Sequence, residues 1–232
     1  LHDPDLNQPP FNPIAPVVVI LALAMLAVEI VFQGGARGFF GGQNAVGWRS
    51  EAIQAYGVYD TILDWMFATG RFPPEHLLRF VAYPFIHGSF THLIFALVIT
   101  LAIGKMVAEV FSAFAVVVVF FASAIGGAVV YSLMFETGQP LFGAYPAVYG
   151  LIGAFTFMLW AKAKYTGQNQ FRAFYLIGFL MALQLFFKIV FGGGNDWVAD
   201  LSGFATGFVL SFVLSPAGPQ RVLGWFEKIR RR

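Results

Sequence analysis

The chain has 232 residues, of which 58% are hydrophobic and 11% charged, with a formal net charge of +2 and no cysteine. A composition this apolar excludes a soluble globular domain: the solvent of the fold is largely lipid, and length and spacing indicate one helical membrane domain rather than two. The small, localised positive charge excludes a nucleic-acid partner, and the absence of thiols excludes disulfides, thiolate nucleophiles and Cys-ligated metals.

Taken in chain order, residues 1–13 are polar, rich in Pro and Asn, and lack a basic leader region, so they are expected to be a disordered tail and not a signal peptide. A transmembrane domain is expected over 14–217. Its first span is Ile14 to Phe32, with Glu29 reaching toward the interface at the far end. A long connection follows, rich in Gly, in which Trp48 to Met66 mixes aromatic and charged residues. That mixture predicts an interfacial helix lying on the membrane.

The second span is expected from Phe80 to Val107 and carries His87 and His92. The third is Val110 to Phe135, without a charge, and the fourth is Leu141 to Ala161. The fifth is Phe174 to Phe191, interrupted by Gln184 and by Lys188, which is expected to snorkel to the outer interface. The turn Gly192-Gly193-Gly194-Asn195-Asp196 supplies Asp196 or Asn195 as a helix N-cap, and the sixth span is Trp197 to Leu214 with Asp200 inside it. Residues 218–232 place apolar side chains opposite a basic face, as in a helix on an anionic leaflet.

Lys105, Lys162, Lys164, Arg172 and the basic C-terminus lie at connections that would share one side. Both termini are therefore expected in the cytoplasm. Spans two, four and six then all begin on the outer side. Their first turns hold His87 and His92, Tyr145, and Asp200, so three helices deliver polar residues to one depth.

Four separated motifs lie on these spans. Leu77-Leu78-Arg79 precedes the second span, and His87-Gly88-Ser89-Phe90-Thr91-His92 has the spacing H-x4-H. The run Gly143-Ala144-Tyr145-Pro146-Ala147-Val148-Tyr149-Gly150 opens the fourth, and Ala199, Gly203 and Gly207 mark the sixth. In this order the motifs resemble those of the rhomboid family of intramembrane serine proteases, over about Leu77 to Leu214. The resemblance implies an all-α membrane protein, a six-transmembrane-helix rhomboid-like bundle with an interfacial first loop.

The resemblance breaks at the chemistry. The family pattern G-x-S-G-A-V-Y-G has its nucleophile where this chain has Tyr145, and the next Gly is Pro146. The catalytic His of the last-helix pattern A-H-x-x-G-x-x-x-G corresponds to Asp200. In the oxyanion region His92 is kept, while the Asn four residues later corresponds to Ala96. Nucleophile, base and one oxyanion donor are missing, so no active catalytic residue is expected.

The remaining polar cluster, His87, His92, Tyr145, Pro146, Tyr149 and Asp200, is a candidate client-binding surface. Tyr145 is read as a buried hydrogen-bonding phenol in contact with Asp200, filling the space of the missing dyad. Gly150, Gly203 and Gly207 are read as helix-packing residues, with Gly203 and Gly207 against span four rather than at a dimer contact. A five-residue spacing puts His87 and His92 on different faces of a helix, which argues against a metal site. No metal or cofactor is expected.

The function expected from the resemblance is that of a pseudoprotease, which binds transmembrane segments of client membrane proteins without cleaving them. The alternative is an active rhomboid-type serine endopeptidase or an atypical intramembrane peptidase using Asp200, His92, Ser89 or Ser202. A transport or proton path through Asp200, Glu29 and Lys188 is a third class, unsupported by any internal repeat. The expected partners are the lipid bilayer and client segments, and the expected location is a bacterial inner membrane.

Overall fold

The computed structural model describes residues 13–136, 138–191 and 194–216, the side chains of Phe187, Lys188 and Phe191 excepted. The tail expected over 1–13, apart from Pro13, and the basic tail over 218–232 lie outside the described residues, as does the side chain of Lys188. The described residues form α-helices joined by loops and short 3-10 turns: α1 Pro16–Ala36, α2 Trp48–Tyr56, α3 Asp60–Thr69, α4 Pro74–Ala82, α5 Phe90–Ala108, α6 Ala113–Met134, α7 Tyr145–Tyr165, α8 Tyr175–Phe191 and α9 Trp197–Leu214.

Five of these, α1, α5, α6, α7 and α9, are long and apolar enough to cross a membrane. With 17 residues, α8 is shorter. At about 1.5 Å per residue it extends roughly 26 Å, just under a hydrocarbon core of about 30 Å.

The centre of the bundle is α7, buried without interruption from Pro146 to Ala154. It is flanked by α6 and α9, and glycines set the spacing. A Cβ on Gly203 would collide with the Pro146 carbonyl, and one on Gly207 with the carbonyl of Gly150. Backbone therefore packs on backbone, as small residues permit between membrane helices. Gly203 and Gly207 thus both face α7.

Two expected elements are divided in the structure. The segment from Phe80 to Val107 is not one helix: α4 ends at Ala82, a 3-10 turn covers Tyr83–Phe85, and α5 starts at Phe90. Pro84 has no N–H to give and its ring opposes helix continuation. Ser89 then caps a new helix, its Oγ accepting from the His92 N–H at 3.1 Å. His87 consequently lies in the loop before α5, while His92 is in its first turn.

The single interfacial helix expected over Trp48 to Met66 is two helices, α2 and α3, meeting at Gly57. There Val58 and Leu141 form an isolated antiparallel bridge, with N–H···O distances of 3.0 and 2.8 Å. The Asp60 carboxylate accepts from Gly138 N–H at 3.0 Å. These bonds fasten the first loop to the connection preceding α7. Leu141, expected as the start of a span, serves this bridge, and α7 begins four residues later.

Glu29 is buried against α2. It is 2% exposed and makes two bonds with Arg49, at 2.7 and 2.8 Å, and accepts a third from Gln33 at 2.9 Å. The same guanidinium donates to the backbone carbonyl of His87 and lies 5.1 Å from the Phe32 ring centroid. One cation thereby joins α1, α2 and the loop before α5.

Candidate functional site

The site is assembled from helix starts and the loop that feeds them. Tyr83 is fully buried and donates its hydroxyl to the Ala124 carbonyl of α6 at 2.7 Å. Its own carbonyl accepts from Gly143 N–H at 3.0 Å. The loop carrying His87 and the start of α7 are thus held to the same residue. His87 is 1% exposed, and its Nε2 accepts from the Ala144 N–H at 3.4 Å.

From there the rings form a ladder. His87 meets His92 edge to face, with centroids 5.1 Å apart, and His92 stacks on Tyr145 at 4.9 Å. Gly143 makes the close fit possible: its φ is +96°, and a Cβ there would lie 2.6 Å from His92 Cε1.

Beside this ladder is a cavity of about 310 Å³ between α5, α7, α8 and α9. Its walls include Ser89, His92, Tyr145, Pro146, Gln184 and Asp200. Four of the residues singled out by sequence, His92, Tyr145, Pro146 and Asp200, come together here. His87, Tyr149 and Ala96 are buried but do not line it. Ala96 sits one turn beyond His92 in α5 and offers only a methyl group.

Tyr145 and Asp200 line the same cavity, but among the described residues the direct hydrogen bond to the carboxyl comes from elsewhere. Asp200, 1% exposed, accepts a hydrogen bond from Gln184 Nε2 at 2.5 Å. Tyr145 instead spends its ring on His92. The first turns of α5, α7 and α9 share the cavity, but the donor to the carboxylate comes from α8.

The sequence from residue 74 to 217 matches the family model of the Rhomboid domain. The chain belongs to the rhomboid family. Among curated proteins no sequence matches it. The family match starts at α4 and runs through α9, so the helices that build the cavity lie inside it. The Glu29–Arg49 pair of this rhomboid lies before it.

Two residues of this site and its surroundings carry little signal in the sequence. Gln184 interrupts an apolar span, and a polar side chain inside such a run is itself a signal of a partner. Arg49 is one of several charges in the mixed stretch from Trp48 to Met66. Nothing in its local sequence tells that it would bind a carboxylate 20 residues away.

Proposed function

We propose that this rhomboid protein is a pseudoprotease that binds transmembrane segments of other membrane proteins without cutting them. The observation that carries the reading is the stacking of the Tyr145 ring on His92 at 4.9 Å, at the position where the motif resemblance expects the nucleophilic serine. Acyl transfer needs a hydroxyl, a base within hydrogen-bond reach and donors for the oxyanion. At the base position Asp200 is occupied by Gln184. Ala96 has no donor, and Pro146 has no N–H beside the nucleophile position. A phenol is a poor nucleophile near neutral pH, since its ordinary pKa is about 10.

The second reading, an active serine endopeptidase, draws on Ser89, which lines the cavity together with His92. Its Oγ accepts from the His92 N–H as the cap of α5, a structural use of the hydroxyl. Purified protein is expected neither to react with a fluorophosphonate nor to cut a model transmembrane substrate. Labelling at Ser89 or any other serine favours the peptidase.

The proposal includes the membrane arrangement. α8 is the fifth of six spans, both termini are cytoplasmic, and the cavity lies near the outer surface of a bacterial inner membrane. The charge distribution at the connections supports this orientation.

A further inference from the structure

A groove that shares no residue with the site above lies between α1, α2 and α4 and has a volume of about 460 Å³. Ala24, Val28 and Phe32 line it from α1 at steps of four residues, one stripe of a helix, and Ala52 and Tyr56 do the same from α2. Ala82 and the 3-10 turn after α4 close the third side. The groove exists because Ala24, Ala52 and Ala82 offer only methyl groups where the three elements meet. Every side chain lining it is apolar but for the phenol of Tyr56. Ile20, one turn before Ala24 on the same stripe of a membrane-crossing helix, is 65% exposed, so the groove opens toward hydrocarbon.

Its dimensions suit a single chain rather than a helix. From Ala24 to Phe32 α1 rises roughly 12 Å. Over that length about 460 Å³ has a mean cross-section of roughly 38 Å². A helix with its side chains is about 10–12 Å across and needs about twice that or more. A hydrocarbon chain is narrow enough, and hydrocarbon is the solvent of this face.

Charge at the rim selects what the chain is attached to. Arg79 is one turn before Ala82 on α4, and its Nη1 donates to the carbonyls of Gln54 and Gly57 at 2.9 and 2.8 Å. Those carbonyls bracket Tyr56 in the chain, so they fix the guanidinium beside the groove. They are neutral, and among the described residues no carboxylate pairs with Arg79. Arg49, near the Phe32 end, differs: its charge is met by Glu29. A phosphate diester supplies both the anion and the acceptor oxygens that suit a guanidinium.

We infer that the groove holds one acyl chain of a phospholipid whose phosphate sits on Arg79. The lipid fills the angle between α1 and the first loop and supports α2 alongside the Glu29–Arg49 pair. This binding is independent of whether the protein holds or cuts client segments.

The test uses the full chain in phospholipid vesicles with trace amounts of two probes, phosphatidylglycerol and diacylglycerol, that carry the same diazirine-tagged acyl chain. Diacylglycerol lacks the phosphate. Labelled residues are mapped by mass spectrometry, and labelling of the groove is divided by labelling at Leu133 on the outward face of α6, which is 60% exposed. For phosphatidylglycerol that ratio is expected to exceed the diacylglycerol ratio about tenfold. Arg79→Gln should bring the difference below about twofold, and Arg79→Lys, which keeps a charge, should retain more of it than Gln does. Ala24→Leu and Ala52→Leu fill the groove and should each remove labelling there while leaving Leu133 unchanged. In intact cells, a photoreactive phenylalanine analogue in place of Tyr56 is expected to form an adduct with the mass of a phospholipid.

Equal ratios for the two probes, a difference unmoved by Arg79→Gln, or groove labelling unmoved by the filling variants overturns the inference. So does capture of a polypeptide from position 56, whether a second copy of this chain or another protein. The comparison of the two probes uses the unmodified chain, so it decides the matter even where a variant fails to accumulate.

Discussion

The side-chain amide of Gln184 donates to the carboxyl of Asp200 at 2.5 Å, and this bond ties α8 to α9. One face of α8 is open: Phe179 is 65% exposed and Ile189 is 83% exposed. This polar contact adds to the apolar packing of Ile177, Leu180 and Met181 in holding the helix that forms one wall of the cavity.

Removing one member of that pair should be worse than removing both. Gln184→Leu leaves a buried carboxyl without a donor and is expected to cost about 1–3 kcal/mol. Adding Asp200→Leu should recover most of the loss, giving a coupling of about 1 kcal/mol or more in a double-mutant cycle. Thermal unfolding in detergent measures it, and strict additivity would show that the two side chains are not a unit.

The Glu29–Arg49 pair should behave in the same way, with larger numbers. Arg49→Met strands the carboxylate in α1 and releases the His87 carbonyl, at an expected loss of about 3–5 kcal/mol. Arg49→Lys should also be destabilising, because an ammonium cannot reproduce the two-pronged contact. Glu29→Met with Arg49→Met should be milder than Arg49→Met alone. Denaturation midpoints in one detergent compare all three.

Close backbone packing makes Gly207 intolerant of a side chain. Gly207→Val must push α9 away from Gly150 and is expected to cost on the order of 1–3 kcal/mol. Gly178 in α8 has nothing within 4 Å of its Cβ position, so Gly178→Ala should be neutral or stabilising by up to about 1 kcal/mol. Equal responses at the two sites would contradict the packing of α9 on α7.

His87 precedes the α5 span, and its burial, with His92 beside it as the second cause, pushes the imidazole down to about 4. The unfolded chain, with an ordinary histidine near 6.5, binds the proton first as pH falls. The contribution of His87 is thus fully present above about pH 6.5 and is lost progressively toward pH 4. In His87→Gln the dependence over that window should flatten, as unfolding at a series of pH values will show; an unchanged slope would mean that other groups produce it.

Orientation is open to a direct test, since native thiols are absent. Glu136→Cys should react with an impermeant thiol reagent on intact cells, and Lys164→Cys should not. The opposite pattern would put the cavity on the cytoplasmic side.

The amino-acid sequence by itself determined that this is a helical membrane protein, roughly where most of its apolar helices lie, and which helix starts carry polar residues. Long apolar runs are local, and so are the signals that end them, such as Pro84 and the cap at Ser89. The small-residue motif at Gly203 and Gly207 was legible for a related reason: only glycine lets two helix backbones touch. Tertiary structure decided the pairings. Arg49 with Glu29 and His87, Gln184 with Asp200, and Val58 with Leu141 each join segments whose hydropathy says nothing about the other. A helix in lipid is apolar on its outer face as well as its inner one, so its sequence does not show which way it turns. That rotation takes Asp200 to the amide of Gln184 and leaves Tyr145 to stack on His92.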